Sequence, residues 1–254
     1  MTRVWSAAGL TTGLMQRRPF RAPHHTISLA GLIGGGPGPR PGEVSLAHHG
    51  VLFLDELGEF SRASLEALRE PLETGSVSVA RAAWRGHFPA RFQLIAAMNP
   101  CPCGYLGDPS GRCRCSTEQI QRYRSKLSGP LLDRINLHLT VAREATSLNC
   151  QPDPLDTTVR AAARVAAARQ HQQNRQGCAN AFLDLDGLRQ HCQLGNADQL
   201  WLESACERMG LSLRAAHRIL KVSRTLADLE GITVIQRGHL AEALQYRPGS
   251  ARPD

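Results

Sequence analysis

Lysine is scarce in this sequence, and its scarcity excludes one common motif. Among the 254 residues only Lys126 and Lys221 are lysines. A phosphate-binding loop of the form G-x-x-x-x-G-K-S/T needs a lysine directly after a glycine, where it reaches the β- and γ-phosphates of a nucleotide. A serine precedes the first lysine and a leucine precedes the second, so neither fits. The glycine-rich run at 34–39 has no lysine, and its two prolines lack the N–H groups that a phosphate cradle needs, which predicts a flexible loop.

Long apolar runs and a leader segment are also missing. No stretch of about 18 apolar residues occurs, and residues 1–5 do not have the layout of a signal peptide. We therefore expect a cytoplasmic protein without a membrane partner. The hydrophobic content of 42% and the charged content of 20% are ordinary for a globular protein.

The charge and the cysteines point to two kinds of partner. A formal net charge of +8 favours a polyanion such as nucleic acid or a nucleotide. The alternative is that arginines spread along the chain reflect codon bias. Eight cysteines without a secretion signal favour a metal site or reduced thiols over disulfides.

The sequence at 51–56 has the form of a Walker B element. Four apolar residues, Val-Leu-Phe-Leu, are followed by Asp55 and Glu56. In such an element the first carboxylate holds the Mg²⁺ of a nucleotide and the second polarises the attacking water. Both carboxylates have to lie at the carboxyl edge of an open α/β sheet, where ligands bind. The alternative is a buried strand that ends in a solvated acidic turn.

The elements predicted up to residue 142 alternate between strands and helices. One amphipathic helix is expected at 61–73 and a second helical segment at 116–132, broken at Gly129-Pro130. Strands are expected at 76–79 and 88–93, as a hairpin with 84–87 at its tip, and then at 92–98 and 135–141. The strand at 92–98 is apolar enough to be buried, and Asn99 follows it.

The rest of the chain is predicted to be helical. The fold class is therefore α/β, with a parallel-sheet core at 1–142, a linker at 143–154, an all-helical domain at 155–247 and a tail at 248–254. The predicted helices are 155–173, 183–191, 197–209, 212–229 and 236–246. Val159 and Val165 are expected on the packed face of the first of these, and Gly177, Gly195, Gly210 and Gly231 are expected as C-terminal caps.

Two C-x-C pairs form the main candidate metal site. Cys101 and Cys103 are separated from Cys113 and Cys115 by nine residues that contain glycine and proline. Four thiolates suit a closed tetrahedral Zn²⁺ site, and the alternative is a cluster of reduced thiols in a turn. The histidine pairs at 24–25 and 48–49 have no third ligand at suitable spacing, which favours polar loop contacts. Cys178, Cys192 and Cys206 are expected to pack as small apolar residues.

The order of these features resembles the magnesium-chelatase-like AAA+ ATPases of the ComM/YifB family, from the Walker B strand onward. The resemblance covers most of residues 5–247. Four segments carry it: RPFRAPHH at 18–25, GVLFLDEL at 50–57, AMNPCPCGY at 97–105 and LLDRI at 131–135. It implies an ATP- and Mg²⁺-dependent ring that drives branch migration of DNA during recombination, with single-stranded or branched DNA and neighbouring subunits as partners.

The resemblance also assigns roles to individual residues. Asp55 and Glu56 match the Walker B pair, Asn99 matches sensor 1 and Arg134 matches an arginine finger that acts on a neighbouring subunit's nucleotide. Arg214 and Arg218, four residues apart, match the sensor 2 helix, whereas Arg224 is expected to be a solvated or structural residue. The hairpin residues Arg81, Trp84, Arg85 and His87 match a segment that lines a DNA channel, and subunit packing is the alternative.

Ordinary explanations are also open for two of these residues. Asn99 suits a turn before Pro100, and Arg134 suits a surface ion pair.

Because the sequence contains no phosphate loop, we expect a fragment of such an ATPase that is inactive alone. One alternative is a non-catalytic module that assembles with intact subunits. Another is a magnesium-chelatase subunit, which the cysteine segment and the basic hairpin disfavour.

Overall fold

The computed structural model describes residues 1–36, 40–81, 84–141 and 157–247, with the backbone alone at 80, 81, 84 and 85. The chain divides into two compact units, Met1–Ile135 and Asn136–Asp254. The first is α/β and the second is helical, which confirms the predicted fold class. The predicted linker at 143–154 and tail at 248–254 lie outside the described residues. None of the described helices is both long enough and apolar enough to cross a membrane.

The first unit contains short strands and helices in mixed order. Its helices are α1 (Thr2–Ala7), α2 (Leu29–Ile33), α3 (Glu43–Leu46), α4 (Arg62–Ala67), α5 (Arg69–Thr74), α6 (Thr117–Arg124) and α7 (Gly129–Leu132). Its strands are β1 (Phe20–Arg21), β2 (Gly34–Gly35), β3 (Arg40–Pro41), β4 (Val51–Leu54), β5 (Ser76–Arg81), β6 (Trp84–Pro89) and β7 (Gln93–Ala96). A 3₁₀ turn, Leu57–Glu59, follows β4.

A three-stranded parallel sheet, in the order β1-β4-β7, is the scaffold of this unit. Leu52 and Leu54 of β4 are fully buried, because alternate side chains of a strand point to the same face. They pack in a core with residues such as Leu65 and Leu131. Burying a leucine contributes about 1.5–3 kcal/mol, so this face fixes the register of β4.

The strand after the hairpin is shorter and more exposed than predicted. It is β7, and Ile95 is 43% exposed within it, so the expectation of a buried strand at 92–98 was wrong. The reason is its position at the edge of the described sheet, where only β4 pairs with it.

The strand predicted at 135–141 is also absent, and Leu139 and Val141 are exposed. Alternating apolar residues do not form a strand without a partner, and none of the described strands pairs with this segment.

The hairpin β5–β6 has its turn at a different place from the one predicted. Arg81 pairs with Trp84, and Ser76 pairs with Pro89. The segment 84–87 therefore lies in β6 rather than at the tip, and residues 82–83 lie outside the described part of the chain. A proline explains where the first predicted helix breaks. Pro71 cannot donate a backbone hydrogen bond, so the segment predicted as one helix is divided into α4 and α5.

The other break lies before, not at, Gly129-Pro130. Those two residues open α7, and the N–H of Leu131 donates to the Ser128 hydroxyl at 3.3 Å as an N-terminal cap. In the glycine-rich run, Gly34–Gly35 form β2 opposite Arg40–Pro41, and residues 37–39 lie outside the described part of the chain.

The second unit consists of helices joined by short turns. They are α8 (Thr158–Gln176), α9 (Leu185–His191), α10 (Asn196–Arg208), α11 (Leu213–Glu230) and α12 (Arg237–Gln245), with a 3₁₀ turn at Asn180–Phe182. Gly177 and Gly231 end helices in the left-handed conformation, as predicted. Gly195 instead precedes α10 as its N-terminal cap.

The packed face of α8 also differs from the prediction. Val159 and Val165 are exposed, whereas Ala168 and Gln172 are buried. The described contacts of α8 with α11 include polar ones, so hydrophobic periodicity misidentified its buried face. Cys192 and Cys206 lie in the apolar core of this unit and Cys178 packs against it, which confirms their predicted role.

Candidate functional site

Asp55 and Glu56 lie at the carboxyl end of β4, where the chain enters a 3₁₀ turn. The N–H of Glu56 donates to the Asp55 carboxylate at 2.8 Å, and Glu56 has a positive φ of 50°. A non-glycine residue with that φ is uncommon and occurs where the surrounding structure imposes it. Both side chains are exposed. The two carboxylates are thus presented at the sheet edge where ligands of α/β proteins bind.

The end of β7 lies beside this turn. The N–H of Ala97 donates to the Leu54 carbonyl at 2.9 Å, and the N–H of Leu57 donates to the Ala97 carbonyl at 2.8 Å. These two bonds fasten the segment that carries Asp55 and Glu56 to the segment that leads into Asn99. Asn99 is exposed at the same edge of the sheet. The structure therefore brings together the two carboxylates and the amide that the sequence pointed to.

His25 is a further residue of this edge that sequence reasoning missed. Its Nδ1 lies 3.0 Å from Oε2 of Glu56, and its ring meets that of Phe60 edge-on at 6.4 Å. The signal was available in principle, because a residue just after a strand parallel to β4 arrives at the same edge. The prediction that His24 and His25 make polar loop contacts is confirmed, since His24 Nδ1 also lies 2.9 Å from the Thr26 hydroxyl.

The second histidine pair has a structural role too. Nδ1 of His48 accepts a hydrogen bond from the N–H of Arg91 at 3.0 Å. Burial, followed by the charges of His49 and Arg91, lowers the pKa of His48 to about 4, so the ring is neutral near pH 7. A neutral ring that accepts from the backbone connects α3 to the segment before β7.

Arg134 is held inside its own unit. Its guanidinium donates to the carbonyl oxygens of Pro130 at 2.7 Å and Arg69 at 3.1 Å, and it forms an ion pair with Glu73. Its side chain is only 13% exposed. In this conformation the predicted finger is therefore a structural contact between α5 and the end of α7.

The three arginines of α11 lie in the second unit. Arg214 is exposed and Arg218 is half-buried, and both are in the first two turns after the Ser212 cap. A spacing of four places them on one face of the helix. Arg224 is 2% exposed and donates to the carbonyl oxygens of Ile232 at 2.5 Å and Thr233 at 2.6 Å, which bears out its structural assignment.

The predicted nucleic-acid residues lie along the hairpin. The backbones of Arg81, Trp84 and Arg85 are in β5 and β6, but their side chains are outside the described part. His87 is exposed in β6, with Nδ1 3.4 Å from the Ser78 hydroxyl.

The four clustered cysteines come together directly after Asn99. All four Sγ atoms lie within 4.8 Å of one another, and among the described residues this is the one group of potential metal ligands that the fold assembles. Cys101 is fully buried and Cys103 is exposed. A hydrogen bond from the Tyr105 backbone, together with other N–H and S–H donors, lowers the pKa of Cys103 to about 6. The thiol that meets solvent is thus the one most readily ionised.

Comparison with known proteins gives a consistent set of relatives. Residues 1–148 match the family described as magnesium chelatase, subunit ChlI, and residues 156–247 match its C-terminal family. The chain is 48% identical over 234 residues to the uncharacterized protein YifB of Escherichia coli, covering 91% of this chain and 46% of YifB. It is 50% identical over 234 residues to the competence protein ComM of Haemophilus influenzae, covering 91% and 45%.

A more distant match comes from Mycobacterium tuberculosis. An uncharacterized protein of that organism is 44% identical over 260 residues, covering 99% of this chain and 51% of the relative. The chain thus spans about half the length of the curated relatives it matches.

Proposed function

The chain belongs to the magnesium-chelatase-like family that includes ComM and YifB, and we propose that it supplies the metal-binding, water-activating and lid side of an ATP-driven DNA motor. The observation that carries the proposal is the shared edge of Asp55, Glu56 and Asn99, fastened by the hydrogen bonds between the ends of β4 and β7. The 50% identity to the competence protein ComM favours this function over a chelatase of pigment synthesis.

The chemistry at this edge follows from the residue types. Exposed carboxylate oxygens are the ligands that Mg²⁺ prefers, so Asp55 fits a hydrated Mg²⁺ that neutralises phosphate charge when nucleotide is bound. Glu56 polarises the attacking water, and the Asn99 amide both donates and accepts, which suits it to orient that water. Nδ1 of His25 lies 3.0 Å from Oε2 of Glu56, and this contact restrains the carboxylate that acts as the base.

The loop that binds the triphosphate has to come from residues outside these 254. Lys126 donates to the Gly58 carbonyl at 2.6 Å, and Lys221 donates to the Ala181 carbonyl at 3.1 Å. Neither lysine is part of a glycine-rich loop, and a phosphate loop provides the N–H groups and the charge that bind the triphosphate. We expect no Mg²⁺-dependent ATP hydrolysis from the 254 residues alone.

Three arginines complete the proposed motor. Arg214 and Arg218 would bind phosphate within one subunit from the lid, and Arg134 would act on the nucleotide of a neighbouring subunit in a ring. A guanidinium suits this role because it binds spreading phosphate charge bidentately. To reach a neighbouring subunit, Arg134 would have to leave Glu73, so ring formation would require release of that ion pair.

DNA is the proposed substrate, in single-stranded or branched form and in the cytoplasm. The net charge of +8 supports it, as does the basic and aromatic composition of the β5–β6 hairpin. Cations bind the phosphate backbone and an aromatic ring stacks on bases, so Arg81, Trp84, Arg85 and His87 would line the channel for the strand.

The nucleotide site is tested by a chimaera that joins the part of Escherichia coli YifB outside its match to this chain, which we expect to carry the phosphate loop, to residues 1–254. We expect ATP hydrolysis that requires Mg²⁺, and a loss of about 10²-fold or more in kcat for Glu56→Gln, because a general base contributes that much. Glu59→Gln is the matched control, since Glu59 is an exposed carboxylate three residues away, beside Lys126. Equal activity of the two variants would show that Glu56 is not the base.

DNA binding is tested on the 254-residue chain by fluorescence anisotropy with single-stranded and branched DNA. Arg85→Ala should weaken binding and make it less dependent on salt concentration, because a protein with fewer phosphate contacts releases fewer counterions from the DNA. Arg189→Ala is the control, since Arg189 is an 80% exposed arginine of α9.

Co-purification with intact subunits, combined with the chimaera experiment, tests the alternative of a non-catalytic interaction module. Co-purification with intact subunits, together with an inactive chimaera, would favour it over the motor.

A further inference from the structure

We propose that Cys101, Cys103, Cys113 and Cys115 bind a structural Zn²⁺ ion that holds Asn99 and helix α6 in place. The binding of the metal is independent of the proposed motor, whereas the importance of Asn99 rests on it.

The sulfur positions match a tetrahedral zinc shell. Zn²⁺ binds thiolates at about 2.3 Å, and four sulfurs at the corners of a tetrahedron of that size are about 3.8 Å apart. Sγ of Cys101 lies 3.4 Å from that of Cys103 and 3.7 Å from that of Cys113. Sγ of Cys103 also lies 3.7 Å from that of Cys113. Disulfide sulfurs are about 2.05 Å apart, so these cysteines are not paired as disulfides and their thiols are free to bind a metal.

The loop that carries the ligands buries little of its own surface. Among residues 101–116 only Cys101 is buried, so the segment has almost no hydrophobic core of its own. Small segments of this kind need a disulfide or a metal to order them. Three tight turns bring the second cysteine pair back to the first, with left-handed glycines at 104, 107 and 111.

The four ligands leave no position for a substrate. Structural zinc sites have four protein ligands, whereas catalytic ones keep one position for water. A Cys₄ site is therefore closed, and its contribution is to order the chain around it.

The cluster is joined to the sheet edge on one side. Cys101 is two residues after Asn99, and a Cβ at Gly104 would lie 3.8 Å from Cγ of Asn99. The turn of the cysteine loop therefore packs beside the Asn99 side chain. Arg124 of α6 also donates to the Pro100 carbonyl at 3.4 Å, between Asn99 and the first ligand.

On the other side the cluster leads directly into α6. Ser116, next to the ligand Cys115, forms a capping box with Gln119 at the start of this helix. The ring of Tyr123, in the same helix, packs so closely on Gly58 that a Cβ there would lie 2.4 Å from Cζ of the ring. One metal ion thus fixes the position of α6, which in turn covers the turn that follows Glu56.

Metal binding is tested on the purified 254-residue chain without any nucleotide. We expect about one zinc per chain by elemental analysis. After replacement by Co²⁺, we expect thiolate-to-metal charge-transfer bands and the ligand-field bands typical of tetrahedral coordination. The double variant Cys103→Ser with Cys113→Ser should lose the metal, whereas Cys178→Ser, a matched cysteine of the second unit, should keep it. A reduced wild-type chain that takes up neither Zn²⁺ nor Co²⁺ would overturn the proposal, and this measurement does not depend on any variant folding.

The positioning role has its own readout. Removal of zinc with a chelator should abolish the hydrogen-exchange protection of α6 and of residues 97–101, and leave α11 of the second unit unchanged. Unchanged exchange at 97–101 would overturn the positioning role. Because both readouts are independent of ATP hydrolysis, a zinc-bound chain in an inactive chimaera would count against the motor and not against the metal site.

Discussion

Replacement of Asp228 by asparagine should lower the stability of the helical unit more than almost any other substitution of a single carboxylate. The Asp228 side chain is 2% exposed, as is that of its partner Arg224. One carboxylate oxygen accepts from Arg224 Nε at 3.1 Å and Arg175 Nη1 at 2.6 Å, and the other accepts from Arg175 Nη2 at 3.0 Å and Asn180 Nδ2 at 2.8 Å. The asparagine side chain has nearly the same shape as the aspartate but carries no charge.

The magnitude follows from what the substitution leaves behind. Removing one partner of a buried ion pair costs about 3–5 kcal/mol, because the other charge stays buried without compensation. Arg224 is the buried charge that would lose its partner. Arg175 is 25% exposed and can be hydrated again, so it contributes less to the free-energy cost. Domains are stable by about 5–15 kcal/mol, and the substitution therefore removes about a fifth or more of that stability.

The assay is urea unfolding of the 254-residue chain, followed by hydrogen exchange in α8 and α11. The control is Asp198→Asn, because Asp198 pairs with Arg237 at the surface and such pairs contribute about 1 kcal/mol or less. A loss below about 1 kcal/mol for Asp228→Asn, no larger than that of the control, would refute the reasoning.

The same carboxylate predicts a dependence on pH. Burial raises the pKa of Asp228, but hydrogen bonds from Arg175 and Asn180 and the charge of Arg224 outweigh it, and the pKa lies below its ordinary value of 3.8. A group whose pKa is lowered by folding stabilises the fold above its unfolded pKa, and this contribution is lost as the pH falls through the folded value. The difference in stability between wild type and Asp228→Asn should be constant near pH 7 and decrease below about pH 4.

Three further predictions concern the first unit. Arg134→Ala should lower the stability of this unit by about 2 kcal/mol, because two carbonyl oxygens lose their donor and Glu73 loses its ion pair. Glu73→Gln should lower it by about 1 kcal/mol, because only the ion pair is lost. Unchanged urea midpoints would show that the arginine is already free for a neighbouring subunit. Glu56→Gln should shift the ring ¹⁵N resonances of His25, and identical spectra would contradict their 3.0 Å contact. Gly50→Ala should cost about 1–3 kcal/mol in thermal unfolding, because its Cβ would lie 1.9 Å from the carbonyl oxygen of the residue before β1; a wild-type Tm would show that the strands can separate there.

Prediction from sequence succeeded where the determining interactions are local. The strand before Asp55 was recognisable because four apolar residues end in two carboxylates, and α9 to α12 were recognisable from their caps and period. It failed where pairing decides. Residues 135–141 alternate like a strand, but strand formation requires a neighbour, and among the described strands they have none. The roles of Asp55, Glu56, Asn99 and Arg134 stay predictions.

The fold class, the family and the position of two carboxylates at the end of a strand could be recognised from the amino-acid sequence, because they depend on motifs and on the spacing of neighbouring residues. Three contacts became visible in the folded chain alone: His25 meets Glu56, Arg134 pairs with Glu73, and four sulfurs lie within 4.8 Å of one another. Each of these contacts joins side chains that are separated along the chain. Their geometry is set by how the strands, helices and turns pack, which local propensity does not encode.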